Sequence, residues 1–137
     1  MTKIKYDANI MKYISLFESI TGVKLKDCIA DDKLTFVVEE GGIGRAIGKN
    51  GSNAKMLENI IQKKIRMVEF NSNIADFIKN LIYPTHIKEV KQENGVVAII
   101  ANDIKSKGIL IGRDRRNLDA VKSIVKRYFK IDDIKVV

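Results

Sequence analysis

Residues 43–55 read IGRAIGKNGSNAK, with two glycines bracketing a lysine and an asparagine and little bulk around them. A glycine–lysine pair in such a setting commonly marks a backbone that closes on phosphate. The phosphate belongs either to a nucleotide held for chemistry or to a polynucleotide that is gripped, and spacing separates the two. A Walker loop needs glycine, four residues, then Gly-Lys-Ser/Thr. Here Ile43 stands where the first glycine should be and Asn50 where the magnesium-binding hydroxyl should be. The dinucleotide fingerprint G-x-G-x-x-G also fails, because Gly42, Gly44 and Gly48 are spaced G-x-G-x-x-x-G. What fits is Gly48-Lys49-Asn50-Gly51 between two helical stretches, where glycine permits a tight turn and close approach by a sugar-phosphate chain. The helix that follows directs free N–H groups and its positive dipole end to the same place. Ser52 or Asn50 is expected to cap it. Lys49 and Arg45 add charge, while Ile43 and Ile47 are expected to floor a groove for a base.

The stretch recurs in the chain. A shift of 64 residues lays Gly44 on Gly108, Ile47 on Ile111, Gly48 on Gly112, Lys49 on Arg113 and Asn53 on Asn117. Leu57, Ile60, Ile61 and Ile65 then fall on Val121, Ile124, Val125 and Phe129. Apolar matches at helical spacing arise by chance; matched glycines, a cation and an asparagine in one register do so far less readily. This implies a duplication with its seam near Asn71-Ser72-Asn73, and two domains, 1–71 and 72–137. The second loop departs from the first: Gly112-Arg113-Asp114-Arg115 ends in arginine. Arginine disfavours φ > 0 and puts a long side chain where bare backbone would meet the ligand. Two readings stay open. Arg113, Arg115 and Arg116 contact phosphate through their side chains, or this half is an electrostatic platform or packing partner, Asp114 adding a charge that phosphate repels.

Each half parses alike. Residues 9–20 place Ile10, Tyr13, Ile14, Phe17 and Ile20 at helical spacing, ended by Thr21-Gly22. VKLKDCIA and KLTFVVEE read as strands joined by a turn at Asp31-Asp32. A helical turn over 44–47, the glycine loop, a helix from Ser52 to Lys64 and the strand RMVEF follow. The second half predicts a helix over 73–82 stopped before Pro84, strands at 85–92 and 95–101, and a short helix at 104–110. The loop 112–115, a helix over 116–129 and a strand at 132–137 complete it. The order is α-β-β-α-α-β twice, a mixed α/β class of the α+β kind, with helices layered on three-stranded sheets.

Composition narrows the function. A net charge of +8 on 137 residues favours an anionic partner, of which nucleic acid is the commonest. Residues 105–130 concentrate it, with nine Lys or Arg against Asp114 and Asp119. No apolar run approaches membrane-spanning length, and MTKIKYDANI does not resemble a secretory signal. A single cysteine, Cys28, excludes an internal disulfide and is expected to be a small buried hydrophobe. His86 has no second ligand for a metal and reads as a surface strand residue. The aromatics, from Tyr6 to Phe129, are expected mainly in the core, Tyr83 among them. The pairs Asp31-Asp32 and Asp132-Asp133 read as turns, and nothing forms a catalytic constellation.

The segment Ile47 to Lys55, IGKNGSNAK, resembles the core of a KH domain, whose G-x-x-G loop clamps about four nucleotides. The element order is that of the type II variant. Two such units in tandem resemble the archaeal NusA-like transcription factors. The resemblance implies a non-enzymatic, cofactor-free binder of single-stranded RNA that modulates transcription elongation or termination. It implies a cytoplasmic monomer with RNA polymerase as a candidate partner. The alternative is a KH-type adaptor that binds ribosomal RNA or polymerase as a protein-interaction module. The expected RNA-binding residues are Ile43, Arg45, Ile47, Gly48, Lys49, Asn50, Gly51 and Lys55, then Gly112, Arg113, Asp114, Arg115 and Arg116.

Overall fold

The carboxylate of Asp7 accepts the Ile10 N–H at 2.8 Å and starts helix α1 (Ala8–Thr21). The computed structural model describes residues 7–30 and 33–137. Tyr6 and the expected turn at Asp31-Asp32 lie outside the described residues. Gly22, in the left-handed region at φ 69°, ends α1 by donating its N–H to the Glu18 carbonyl. The chain divides into two compact units, Met1–Asn71 and Ser72–Val137.

In the first unit α1 is followed by β1 (Leu25–Ala30), β2 (Leu34–Val38), α2 (Ile43–Ile47), a 3-10 turn at Lys49–Gly51, α3 (Ser52–Ile61) and β3 (Ile65–Glu69). The sheet order is β1-β2-β3, with β1 antiparallel to β2 and β2 parallel to β3. Parallel neighbours need a crossover, and the segment carrying α2, the loop and α3 supplies it. The glycine loop is therefore the tip of a connection whose two ends are fixed by the sheet. Phe17 of α1 meets Phe36 of β2 at 4.7 Å between ring centroids, and Leu34, Val38, Ala46 and Leu57 complete the core around them. Cys28 is buried among them.

The second unit repeats the order with α4 (Ile74–Ile82), β4 (Ile87–Glu93), β5 (Val96–Ala101), α5 (Ile104–Ile111), a 3-10 turn at Arg113–Arg115, α6 (Arg116–Lys126) and β6 (Asp133–Val136). Its sheet is β4-β5-β6, again antiparallel then parallel. Phe77 packs against Tyr128 at 5.7 Å and Phe129 at 5.9 Å.

Several limits differ from the expected ones for local reasons. Helix α3 stops at Ile61 because Gln62 turns left-handed, φ 60°, and its N–H closes on the Glu58 carbonyl. Helix α6 stops at Lys126 because Arg127 and Tyr128 donate to carbonyls three residues back. Tyr83 is 76% exposed, a correction to its expected core placement: it lies just past the end of α4, where helical spacing no longer assigns it to a face. Among the described residues no helix is long and apolar enough to cross a membrane, and no group of His, Cys, Asp or Glu is placed to hold a metal ion.

Candidate nucleic-acid interface

The two loops have the same backbone. Gly48 sits at φ 79°, ψ 169° and Gly112 at 75°, 171°. Asn50 (56°, 28°) matches Asp114 (55°, 32°), and Gly51 (73°, 19°) matches Arg115 (61°, 19°). The first position admits essentially glycine alone. Asn and Asp tolerate the second, since their short side chains bond locally. Arginine at the third does not share that tolerance, and the left-handed region costs it roughly 1–2 kcal/mol. The sequence expectation that arginine would avoid φ > 0 is therefore corrected. The loop's own bonds impose the conformation, with the Arg115 N–H donating to the Gly112 carbonyl at 3.2 Å as Gly51 donates to Gly48 at 3.1 Å.

A second feature, which sequence reasoning recorded only as a matched asparagine, holds each loop in place. Asn53 Nδ2 donates to the Arg45 carbonyl at 3.1 Å, and Asn117 Nδ2 to the Ile109 carbonyl at 2.8 Å. Each bond ties the helix after the loop to the helix before it. Each asparagine also lies against the loop's first glycine: a Cβ on Gly48 would meet Asn53 Cγ at 2.9 Å, and one on Gly112 would meet Asn117 Cγ at 2.7 Å.

The helices that leave the loops start without a side-chain cap. Asp7, Asn73 and Asp103 cap α1, α4 and α5, whereas the N-cap positions of α3 and α6 are Gly51 and Arg115 and make no such bond. The expected cap by Ser52 or Asn50 is absent because Ser52 is already helical and Asn50 is left-handed. The contrast has an electrostatic consequence at Asp103, whose carboxyl is held below the usual range chiefly by the hydrogen bond from Ser106 N–H. At α3, which has no acidic residue in its first turn, that capacity to stabilise negative charge is left unused by the protein, whereas α6 carries Asp119 in its first turn.

The expected site residues fall into place as follows. Arg45, Lys49, Asn50 and Lys55 are exposed around the first loop, and Ile47 is 38% exposed at the end of α2. Ile43 is half-buried and packs on the core, so only part of it reaches the surface. Arg113, Asp114, Arg115 and Arg116 are exposed about the second loop, with Gly112 half-buried. Among the described residues Arg45, Lys49, Lys55, Arg113 and Arg115 take part in no ion pair. Gly44 and Gly108 lie inside α2 and α5, where glycine costs about 1 kcal/mol relative to alanine. A Cβ on either would meet nothing, so packing does not explain them.

The KH domain family model matches residues 11–94, from α1 to the turn after β4. The chain is similar to the "Probable transcription termination protein NusA" of Methanocaldococcus jannaschii, 33% identical over 141 residues that cover 100% of this chain and 77% of the relative. It is 36% identical to the protein of that same name from Methanococcus vannielii, over 98% of this chain and 80% of the relative. The crystal structure of APE1850 shares the fold across 96% of this chain and 100% of its own, with a TM-score of 0.76 and 32% identity.

Proposed function

The chain belongs to the KH domain family, and from that premise we propose that it binds single-stranded RNA through two tandem type II KH domains, residues 1–71 and 72–137, without catalysing a reaction on it. The observation that carries this reading is the first loop: a Gly48–Gly51 turn, flanked by Arg45, Lys49 and Lys55, which form no ion pair among the described residues, that opens on the uncapped start of α3. Gly48 and Gly51 admit the sugar-phosphate backbone, Lys49, Arg45 and Lys55 neutralise phosphate, and the side chain of Asn50 is free to meet the strand. Ile47 and the exposed part of Ile43 floor the groove for a base. The bare backbone at Gly44 leaves room for a nucleotide to lie against α2. Gly112 plays the part of Gly48 in the second loop, where Arg113, Arg115 and Arg116 reach phosphate by side chain and Asp114 holds the position of Asn50.

The relatives' shared name, that of a transcription termination protein, supports a role in termination, and we extend this to elongation and to RNA polymerase as a protein partner. A KH groove reads unstacked bases, so the direct test compares an unstructured single strand with a duplex of the same sequence. Tighter binding of the single strand is expected, and equal affinity for both would reduce the interaction to phosphate attraction. For the second loop, Arg113→Ala with Arg115→Ala is expected to lower the salt slope of binding by about 1.4, at roughly 0.7 per phosphate contact. An unchanged slope would assign that loop the platform role.

A further inference from the structure

Beyond the loop, α3 carries an exposed face that the fold does not use. Lys55, Glu58, Asn59, Gln62, Lys63 and Lys64 line an open groove of about 540 Å³ along it. The helical repeat sets Lys55 beside Asn59 and Met56 beside Ile60 on α3, and Lys63 and Lys64 follow past its end, in the turn that leads to β3. Met56 is 50% and Ile60 55% exposed. The Lys63 ammonium lies over the Tyr13 ring, 5.8 Å from its centroid. Among the described residues Lys55, Lys63 and Lys64 form no ion pair. The groove is continuous with the clamp, because the Lys55 side chain that heads it passes 4.0 Å from the position of a Cβ on Gly51. From Lys55 to Ile61 the helix carries the face about 9 Å away from the loop, at 1.5 Å per residue.

The second unit provides an internal contrast. At the same positions of α6, Asp119 replaces Lys55, Ala120 replaces Met56, and Ile124, in place of Ile60, is only 3% exposed. The equivalent helix there is an ordinary buried-face helix. Arg127 keeps a cation at the position of Lys63, whereas Tyr128 stands at that of Lys64, so it is Lys55 and Lys64 with the exposed apolar pair that belong to the first unit and not to the fold.

We propose that this α3 groove is a second RNA contact, in which Lys55, Lys63 and Lys64 bind phosphates of the strand leaving the Gly48–Gly51 clamp while Met56 and Ile60 cover its bases. The proposal rests on the RNA-binding reading above and extends the footprint of the first unit past the clamp. Single-strand binders combine a charged track with side chains on which bases lie; here the track is Lys55, Lys63 and Lys64, and the aliphatic pair Met56 and Ile60 flanks the groove in place of aromatic rings.

The test uses the full chain with two unstructured RNAs, one of about four nucleotides, the span of a clamp, and one of roughly 12, within the range that single-strand binders cover. Lys63→Gln with Lys64→Gln is expected to leave the short RNA unaffected. For the long RNA it should lower the salt slope by about 1.4, two contacts at roughly 0.7 each. Met56→Ser with Ile60→Ser should weaken the long RNA without altering the slope. Lys88→Gln with Lys135→Gln removes the same charge from exposed positions of the second unit and should leave the slope unchanged. A wild-type slope for the Lys63/Lys64 variant, or an equal loss for both RNA lengths, would overturn the proposal. If the clamp itself proves idle, because Lys49→Asp with Asn50→Asp leaves the long RNA bound, the slope at Lys63 and Lys64 still decides the groove by itself.

Discussion

A chain carrying Lys49→Asp together with Asn50→Asp is expected to lose at least about a hundredfold in single-stranded RNA affinity while keeping its circular dichroism spectrum and melting temperature. The loss follows from charge. The pair of substitutions changes the loop by three units, and a unit charge 4 Å from a phosphate is worth about 1 kcal/mol even in bulk water. Roughly 3 kcal/mol is close to two decades in affinity. The persistence of the fold follows from the chain's own second copy, where Asp114 occupies the position of Asn50 at φ 55°, ψ 32° without disturbing the loop. Lys49 is exposed and forms no ion pair among the described residues. Acidic side chains near the start of α3 favour that helix if they act on it at all. Binding that survives both substitutions would remove the first loop from the mechanism.

Much of this site was legible before any coordinate, because it rests on local rules. The helical spacing of Ile10, Tyr13, Ile14 and Phe17 and the glycine after Thr21 define α1 within a residue or two, since both its face and its terminator are sequence-local. The loop followed from glycine spacing, and the duplication from two glycine identities, one asparagine identity and a matched cation in one register. What the sequence withheld depends on tertiary geometry or on backbone conformation that side-chain type does not dictate. Nothing in the residue types distinguishes Asn53 as a donor to the Arg45 carbonyl from an ordinary exposed helix residue; only its recurrence as Asn117 hinted at a role. Ser52 has the right chemistry for a cap and sits one residue too late for it. Arg115 argued against a left-handed residue on propensity, a preference of a kcal/mol or so that a loop bonded at both ends overrides. Helix limits at Gln62 and Arg127 likewise turn on single backbone bonds.

That Arg115 holds the conformation of Gly51 separates two functions that glycine combines in the first loop. One is to allow the turn; the other is to leave backbone bare. The second loop keeps the turn at some cost in backbone energy and gives up the bare surface. In exchange it places a guanidinium where the first loop has none, on a conformation as fixed as the glycine version. Strain retained at an exposed position, without a packing contact that requires it, points toward binding. The salt slope of the Arg113/Arg115 variant is the measurement that converts this into a count of phosphates.

Gly48 and Gly51 should differ sharply when each is replaced by alanine, although a sequence motif treats them as equals. At Gly51 a new Cβ finds only Lys55 Cε, at 4.0 Å, and the left-handed conformation at φ 73° is one that Arg115 already tolerates. The expected cost is about 1 kcal/mol. At Gly48 the Cβ would stand 2.9 Å from Asn53 Cγ, Asn53 Nδ2 and Ser52 Oγ, all at once, on a backbone at φ 79°, ψ 169°. That region costs a side chain of order 1–3 kcal/mol. Moving Asn53 aside also breaks its bond to the Arg45 carbonyl, worth about 1 kcal/mol. Gly48→Ala should therefore destabilise the first unit by roughly 3 kcal/mol in a urea melt, about three times the effect of Gly51→Ala. Restoring space with Asn53→Ala in the Gly48→Ala background should recover part of the loss, since the two substitutions share one contact. Equal destabilisation by the two alanine variants, or strict additivity of Gly48→Ala with Asn53→Ala, would show that the asparagine latch does not set the shape of the loop.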